Sequence, residues 1–65
     1  MQKVQLKNIL PLIDKRHGVI LVEEFTEEKY YKGDIEQVPE KYLDYNVYNI
    51  LGSYFEITVR ISKWG

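Results

Sequence analysis

The run from Tyr45 to Ile61, YNVYNILGSYFEITVRI, constrains this chain more than any other stretch. Gly52-Ser53 separates two β-rich segments, and glycine suits a two-residue hairpin loop whose geometry asks for positive φ. A loop there sets the register: Leu51 faces Tyr54, Ile50 faces Phe55, Tyr48 faces Ile57 and Tyr45 faces Arg60. In the second segment Phe55, Ile57, Val59 and Ile61 alternate with Tyr54, Glu56, Thr58 and Arg60, so each set takes its own face of a strand. Directly opposed residues share a face. Tyr48 and Ile50 are therefore expected in the core, and Tyr45, Val47, Leu51 and Tyr54 on the opposite face.

The remaining elements are shorter. Val19–Phe25, VILVEEF, is an apolar and largely β-branched strand, a composition that asks for a central position. KYYKG forms a second strand that Gly33 ends or bulges. The two apolar strands belong in the middle and the two more polar ones at the edges. Numbered by sequence, the predicted order is 2-1-4-3, antiparallel throughout. Upstream, Leu6, Ile9, Leu10 and Ile13 fall on one face of a short helix, expected over Lys7 to Asp14 with Asn8 as N-cap and Pro11 in the first turn. Between the second and third strands, Asp34–Asp44 crosses from one edge to the other. Pro39 opens a single helical turn, PEKYLD, and Ile35, Val38 and Leu43 anchor the crossing to the core. The expected fold is α+β: one small domain over 1–65, with a short N-terminal helix packed on a four-stranded antiparallel sheet.

A 65-residue chain buries only about 60% of the surface it exposes when unfolded, so its stability margin is thin. Without cysteine it has neither disulfides nor thiolate metal sites, which leaves packing and association to supply the rest. The net charge of −1 argues against a concentrated basic face for nucleic acid or membrane. No apolar run approaches the ~20 residues of a bilayer span, and no signal-peptide pattern opens the chain; the expected setting is the cytoplasm.

Catalytic chemistry finds no foothold. His17 is the only histidine, and Lys15 and Arg16 share its loop, which reads as a solvated turn. Glu23 and Glu24 are adjacent on a strand, point to opposite faces and cannot form an acid pair. No glycine-rich phosphate loop and no metal-ligand spacing appears. The chain is therefore read as a non-enzyme without metal or cofactor.

One short helix covers one face of such a sheet, and nothing else in the chain is long enough to cover the other. The expected partner-binding surface gathers Tyr45, Val47, Leu51, Tyr54 and Arg60 with Tyr30 or Tyr31, rich in residue types that dominate binding hot spots. Alternatively this face is simply wet, as antiparallel sheets often are. A foreign protein and a second copy are both open as occupants, and the tyrosine-rich third strand also offers an edge for strand addition. A small nucleotide- or nucleic-acid-binding module, with bases stacked on Tyr45 and Tyr54 and phosphates near Arg60, Lys29 and Lys32, is the alternative; Glu56 on the same face speaks against it. Trp64 either packs over the helix or hangs free as an anchor.

The arrangement LKNILPLID, GVILVEE, YYKGDIEQVPEKYLDYNVYNI and FEITVRI resembles a group of small accessory proteins from phages and prophages of Gram-positive gut bacteria. The resemblance covers Leu6–Asp14, Gly33–Asp44 and the last hairpin; Glu36-Gln37-Val38 before Pro39 departs from the group's pattern. It implies a phage-encoded protein that binds and blocks a host protein, CRISPR effectors and other defence machinery included.

Overall fold

The two most apolar strands lie side by side at the centre of a four-stranded sheet in the order β2-β1-β4-β3. The computed structural model describes residues 4–64. The elements are α1 (Leu6–Ile9), continued by a 3-10 turn over Leu10–Leu12, then β1 (Gly18–Glu23), β2 (Lys29–Asp34), two further 3-10 turns (Ile35–Gln37 and Glu40–Tyr42), β3 (Asn46–Gly52) and β4 (Glu56–Ser62). β1 pairs antiparallel with β2, and β4 with β3, but the central pair, β1 and β4, is parallel. The sheet is thus mixed, which corrects the expectation of antiparallel pairing throughout. The crossover is responsible. Its far end reaches the start of α1, where the Leu6 and Lys7 N–H groups, unpaired within any helix start, donate to Tyr45 O and Leu43 O at 2.9 and 3.0 Å. The chain therefore traverses the length of the sheet before β3 begins. The β3-β4 hairpin then enters from the opposite end, and β4 runs alongside β1 in the same sense.

α1 is shorter than the predicted helix. Gln5 is its N-cap, and Asn8, expected in that role, sits at the third helical position and accepts the Gln5 N–H at 3.0 Å. Pro11 has no N–H for the Lys7 carbonyl, so α-helical bonding gives way to a 3-10 turn. The predicted apolar stripe survives: Leu6 is fully buried, and Ile9, Leu10 and Ile13 pack against the core. In the crossover, Ile35 and Val38 hold to the core as expected, while buried Tyr42, not Leu43, is the third anchor.

Val19, Leu21, Val59 and Ile61 form the covered face of the central strands. Ile20, Val22 and Thr58, on the open face, are half-buried under a charged layer in which Lys32 and Glu56 pair at 3.8 Å. Two bulges control the outer strands. Between Leu21 and Val22 the register with β2 slips by one residue, so that both Tyr30 and Tyr31 pack toward the core. Tyr31 lies over Gly33, where a Cβ would meet its hydroxyl oxygen at 2.8 Å, and its hydroxyl donates to Asp34 O at 2.8 Å. In β3, Tyr48 is the extra residue between Val47, opposite Ile61, and Asn49, opposite Arg60.

The hairpin exists where predicted, with a different register. Ser53, through its N–H (2.9 Å) and hydroxyl (2.8 Å), bonds to Glu56 O, which moves the loop to Tyr54-Phe55. Ile50 pairs with Val59, not Phe55, and Leu51 with Thr58, not Tyr54. Gly52 adopts no positive φ and belongs to the strand.

Candidate functional site

Glu23, at the end of β1, organises what surrounds it. Its position on the covered face leaves the residue 1% exposed. A charge in such a place needs partners, and it has them: the Tyr30 hydroxyl donates to Oε1 at 2.6 Å and the Phe25 N–H to Oε2 at 3.1 Å. Burial acts to raise the Glu23 pKa; hydrogen bonds from Tyr30, Phe25 and Ser62, with the charge of Lys63, outweigh it and hold the carboxyl below its ordinary 4.5. The same bond to Glu23, with burial behind it, pushes the Tyr30 phenol well above its ordinary range. Tyr30 stacks on Tyr42 with centroids 5.1 Å apart, and Tyr45 stands edge-on to both at 5.8 and 5.3 Å. This is a packed aromatic cluster under the crossover.

The other half of the Glu23 carboxylate fixes the turn that carries Phe25. That ring meets Tyr48 edge-to-face at 5.4 Å, and the Tyr48 hydroxyl donates to Trp64 O at 2.8 Å. Phe25, Tyr48 and Trp64 are 61, 40 and 56% exposed and form an aromatic ridge at one end of the sheet, Trp64 joined to it through its carbonyl. Lys63 lies over the Trp64 ring at 4.9 Å. Beside the ridge, Arg60 donates through Nε to Glu24 at 2.6 Å and through a terminal nitrogen to Glu27 at 2.5 Å. The bonds to Glu27 and Glu24 lift the guanidinium further above its already high range. Glu27 takes up this position with φ of 64°, an uncommon conformation for a non-glycine residue that the ion pair and its N–H bond to Glu23 O retain.

The expected partner-binding residues are distributed otherwise than the sequence suggested. Tyr30 and Tyr45 belong to the packed cluster, and Tyr31 and Val47 also pack against the core, so Tyr45, Val47 and whichever of Tyr30 or Tyr31 was expected outward are corrected from the open face to the covered one. Leu51 is exposed on β3, Tyr54 projects from the hairpin tip, and Arg60 lies among carboxylates. Tyr48, expected in the core, is on the surface. The cause is the β3 bulge: one inserted residue inverts the alternation, so that Val47 and Tyr45 turn inward. Phe25 was read as the end of a strand, and Trp64 as an isolated terminal ring. Their contact with Tyr48 arises from chain segments far apart in sequence, and no local pattern marks it.

Among the described residues, no group of three or more His, Cys, Asp or Glu side chains is placed to hold a metal, and no helix is long and apolar enough to cross a membrane. No family model matches the chain, and neither a curated protein nor a solved structure matches it.

Proposed function

We propose that this chain is a non-enzymatic protein-binding module that engages its partner through the Phe25–Tyr48–Trp64 ridge and the exposed apolar residues of β3 that continue from it. The observation that carries the reading is the ridge itself: the Phe25 and Tyr48 rings in contact, Trp64 held to the Tyr48 hydroxyl through its carbonyl, and all three rings left substantially open by a chain small enough to need all its apolar surface inside. Aromatic side chains with a neighbouring arginine are the composition of binding hot spots. Arg60 is pre-positioned by Glu24 and Glu27, so little side-chain entropy is lost when a partner docks beside it. The resemblance to small phage accessory proteins directs the proposal further, to a phage-encoded inhibitor acting in the host cytoplasm on a host or defence protein. Stacking of nucleic-acid bases is less well served, because Arg60 beside the ridge is already paired with two carboxylates, and the chain as a whole carries a net charge of −1.

The test is capture from host extract by the immobilised chain, run beside the Phe25→Ala/Trp64→Ala variant, then titration of the purified captured protein. The expected result is one protein retained by the natural chain, with affinity reduced at least tenfold in the variant and its activity lowered on binding. Equal retention by both chains would rule out the ridge as the contact surface.

A further inference from the structure

The sheet has two edges, and only one is protected. β2 carries Lys29, Lys32 and Asp34, all exposed, together with a bulge, the devices that discourage strand addition. β3 and the residue after it, NVYNILGS, contain no charge and no proline. Among the described residues, the outer edge of β3 is used only at its start, where Val47 N–H donates to Val4 O at 2.7 Å and Gln5 bridges Asn46 in antiparallel sense. That contact demonstrates that the edge accepts an antiparallel strand. Further along, the Ser53 N–H turns inward to Glu56, so alternation turns the Ile50 and Gly52 N–H groups outward. The Ile50 N–H is taken by the Asn49 side chain at 2.7 Å, a local stand-in for a neighbouring carbonyl. Gly52 has neither a positive φ nor any atom within 4 Å of where its Cβ would lie. A strand glycine with no local cause is a site where another backbone can approach closely.

We infer that the occupant of this edge is a second copy of the chain, its β3 added antiparallel to the first about a two-fold axis near Leu51. Self-pairing of an uncharged strand sets no like charges opposite each other, which neither the β2 edge nor a charged partner strand would achieve as simply. Ile50 and Gly52 of each copy exchange backbone hydrogen bonds with Gly52 and Ile50 of the other, and the partner's carbonyl replaces the Asn49 oxygen. Tyr48 and Tyr54 lie three positions to either side of Leu51. The same symmetry therefore brings the hairpin tip of one copy, where Tyr54 and Phe55 are 88 and 77% exposed, alongside the Tyr48 end of the other. Two surfaces that the single chain leaves open cover one another.

The inference rests on the protein-binding reading for its surface, and its test uses the purified chain alone. Light scattering with size exclusion is expected to give about twice the 7.8 kDa of one chain, falling to one chain on dilution. Hydrogen exchange is expected to protect the Gly52 amide only in the concentrated sample. Ile50→Lys, which sets like charges near the axis, should weaken the association at least tenfold, whereas Leu12→Lys, an even more exposed apolar site away from β3, leaves it unchanged. Asn49→Ala removes the stand-in oxygen and should tighten it. A one-chain mass at every concentration, or a pair indifferent to Ile50→Lys with an unprotected Gly52 amide, overturns the second copy. In either case the foreign-partner reading survives if the Phe25→Ala/Trp64→Ala variant still loses its captured protein, and falls with it if it does not.

Discussion

Tyr30, Tyr42 and Tyr45 on one side of Glu23, and Phe25, Tyr48 and Trp64 on the other, are groups of similar chemistry with opposite fates. Each has a ring pair meeting edge to face, and each is tied to the same buried carboxylate, one through the Tyr30 hydroxyl and the other through the Phe25 N–H. The first group lies under the crossover and supplies packing. The second lies past the reach of every covering segment and supplies surface. Side-chain type therefore does not settle which rings hold the fold and which are free to bind; the path of Asp34–Tyr45 settles it.

The largest loss of stability is expected at Tyr42. Tyr42→Ala should cost about 3 kcal/mol as a large-to-small change in a packed site, enough to unfold much of a domain with a thin margin, and urea denaturation would register it. If it proves harmless, the cluster is not the core. Glu23→Gln should cost about 2 kcal/mol, because at least one of its donors then faces an amide N–H₂ in place of an oxygen. The same variant changes the pH dependence of stability. The Glu23 carboxyl is held below 4.5 when folded, so its stabilisation is fully present above that ordinary value. It is lost as pH falls through the lower folded value. Urea midpoints measured down through this range should fall more steeply for the natural chain than for Glu23→Gln. Glu27, lowered by its bond from Arg60, and Asp14, lowered by its bonds from Arg16, remain in both and contribute to the shared slope.

The exposed group should respond in the reverse sense. Phe25→Ala with Trp64→Ala should lower folding stability by less than about 1 kcal/mol each. Association should weaken by about 1.4 kcal/mol or more, read by titration against whatever partner the ridge holds. The smallest effect belongs to Tyr54→Ala: within about 0.5 kcal/mol on unfolding, since the ring touches only Phe55 among the aromatics, with any change confined to self-association.

Several elements were legible in the sequence for reasons that hold locally. The stripe Leu6, Ile9, Leu10 and Ile13 announced a helix on the core, and Pro11 announced that it would be short. Val59 and Ile61 lie on the buried face of a central strand as their alternation required, and the apolar run Val19–Val22 took the central position its composition asked for, with Val19 and Leu21 buried and Ile20 and Val22 half-buried. The candidate site was legible in part: an outward surface on β3 includes Leu51 and Tyr54, but the rings that dominate it are Phe25, Tyr48 and Trp64. The misplacement of Tyr45 and Val47 has one source, because a single bulge residue inverts the face of every side chain beyond it. Tyr30 and Tyr31 were expected to face opposite ways, and the β2 bulge turned both inward by the same means.

By itself the sequence determined the elements, their rank of burial and the identity of the central strands, since these follow from periodicity and apolarity within a few residues. Only the tertiary structure decided the parallel sense of β1 and β4, the positions of the two bulges and the division of aromatic rings between core and surface. Strand direction and an inserted residue leave the local alternation almost unchanged, so their free-energy difference appears only when distant segments meet. In this chain that meeting is at Glu23, where Tyr30 of β2, stacked on the crossover's Tyr42, and the Phe25 turn each obtain one oxygen of the same buried carboxylate.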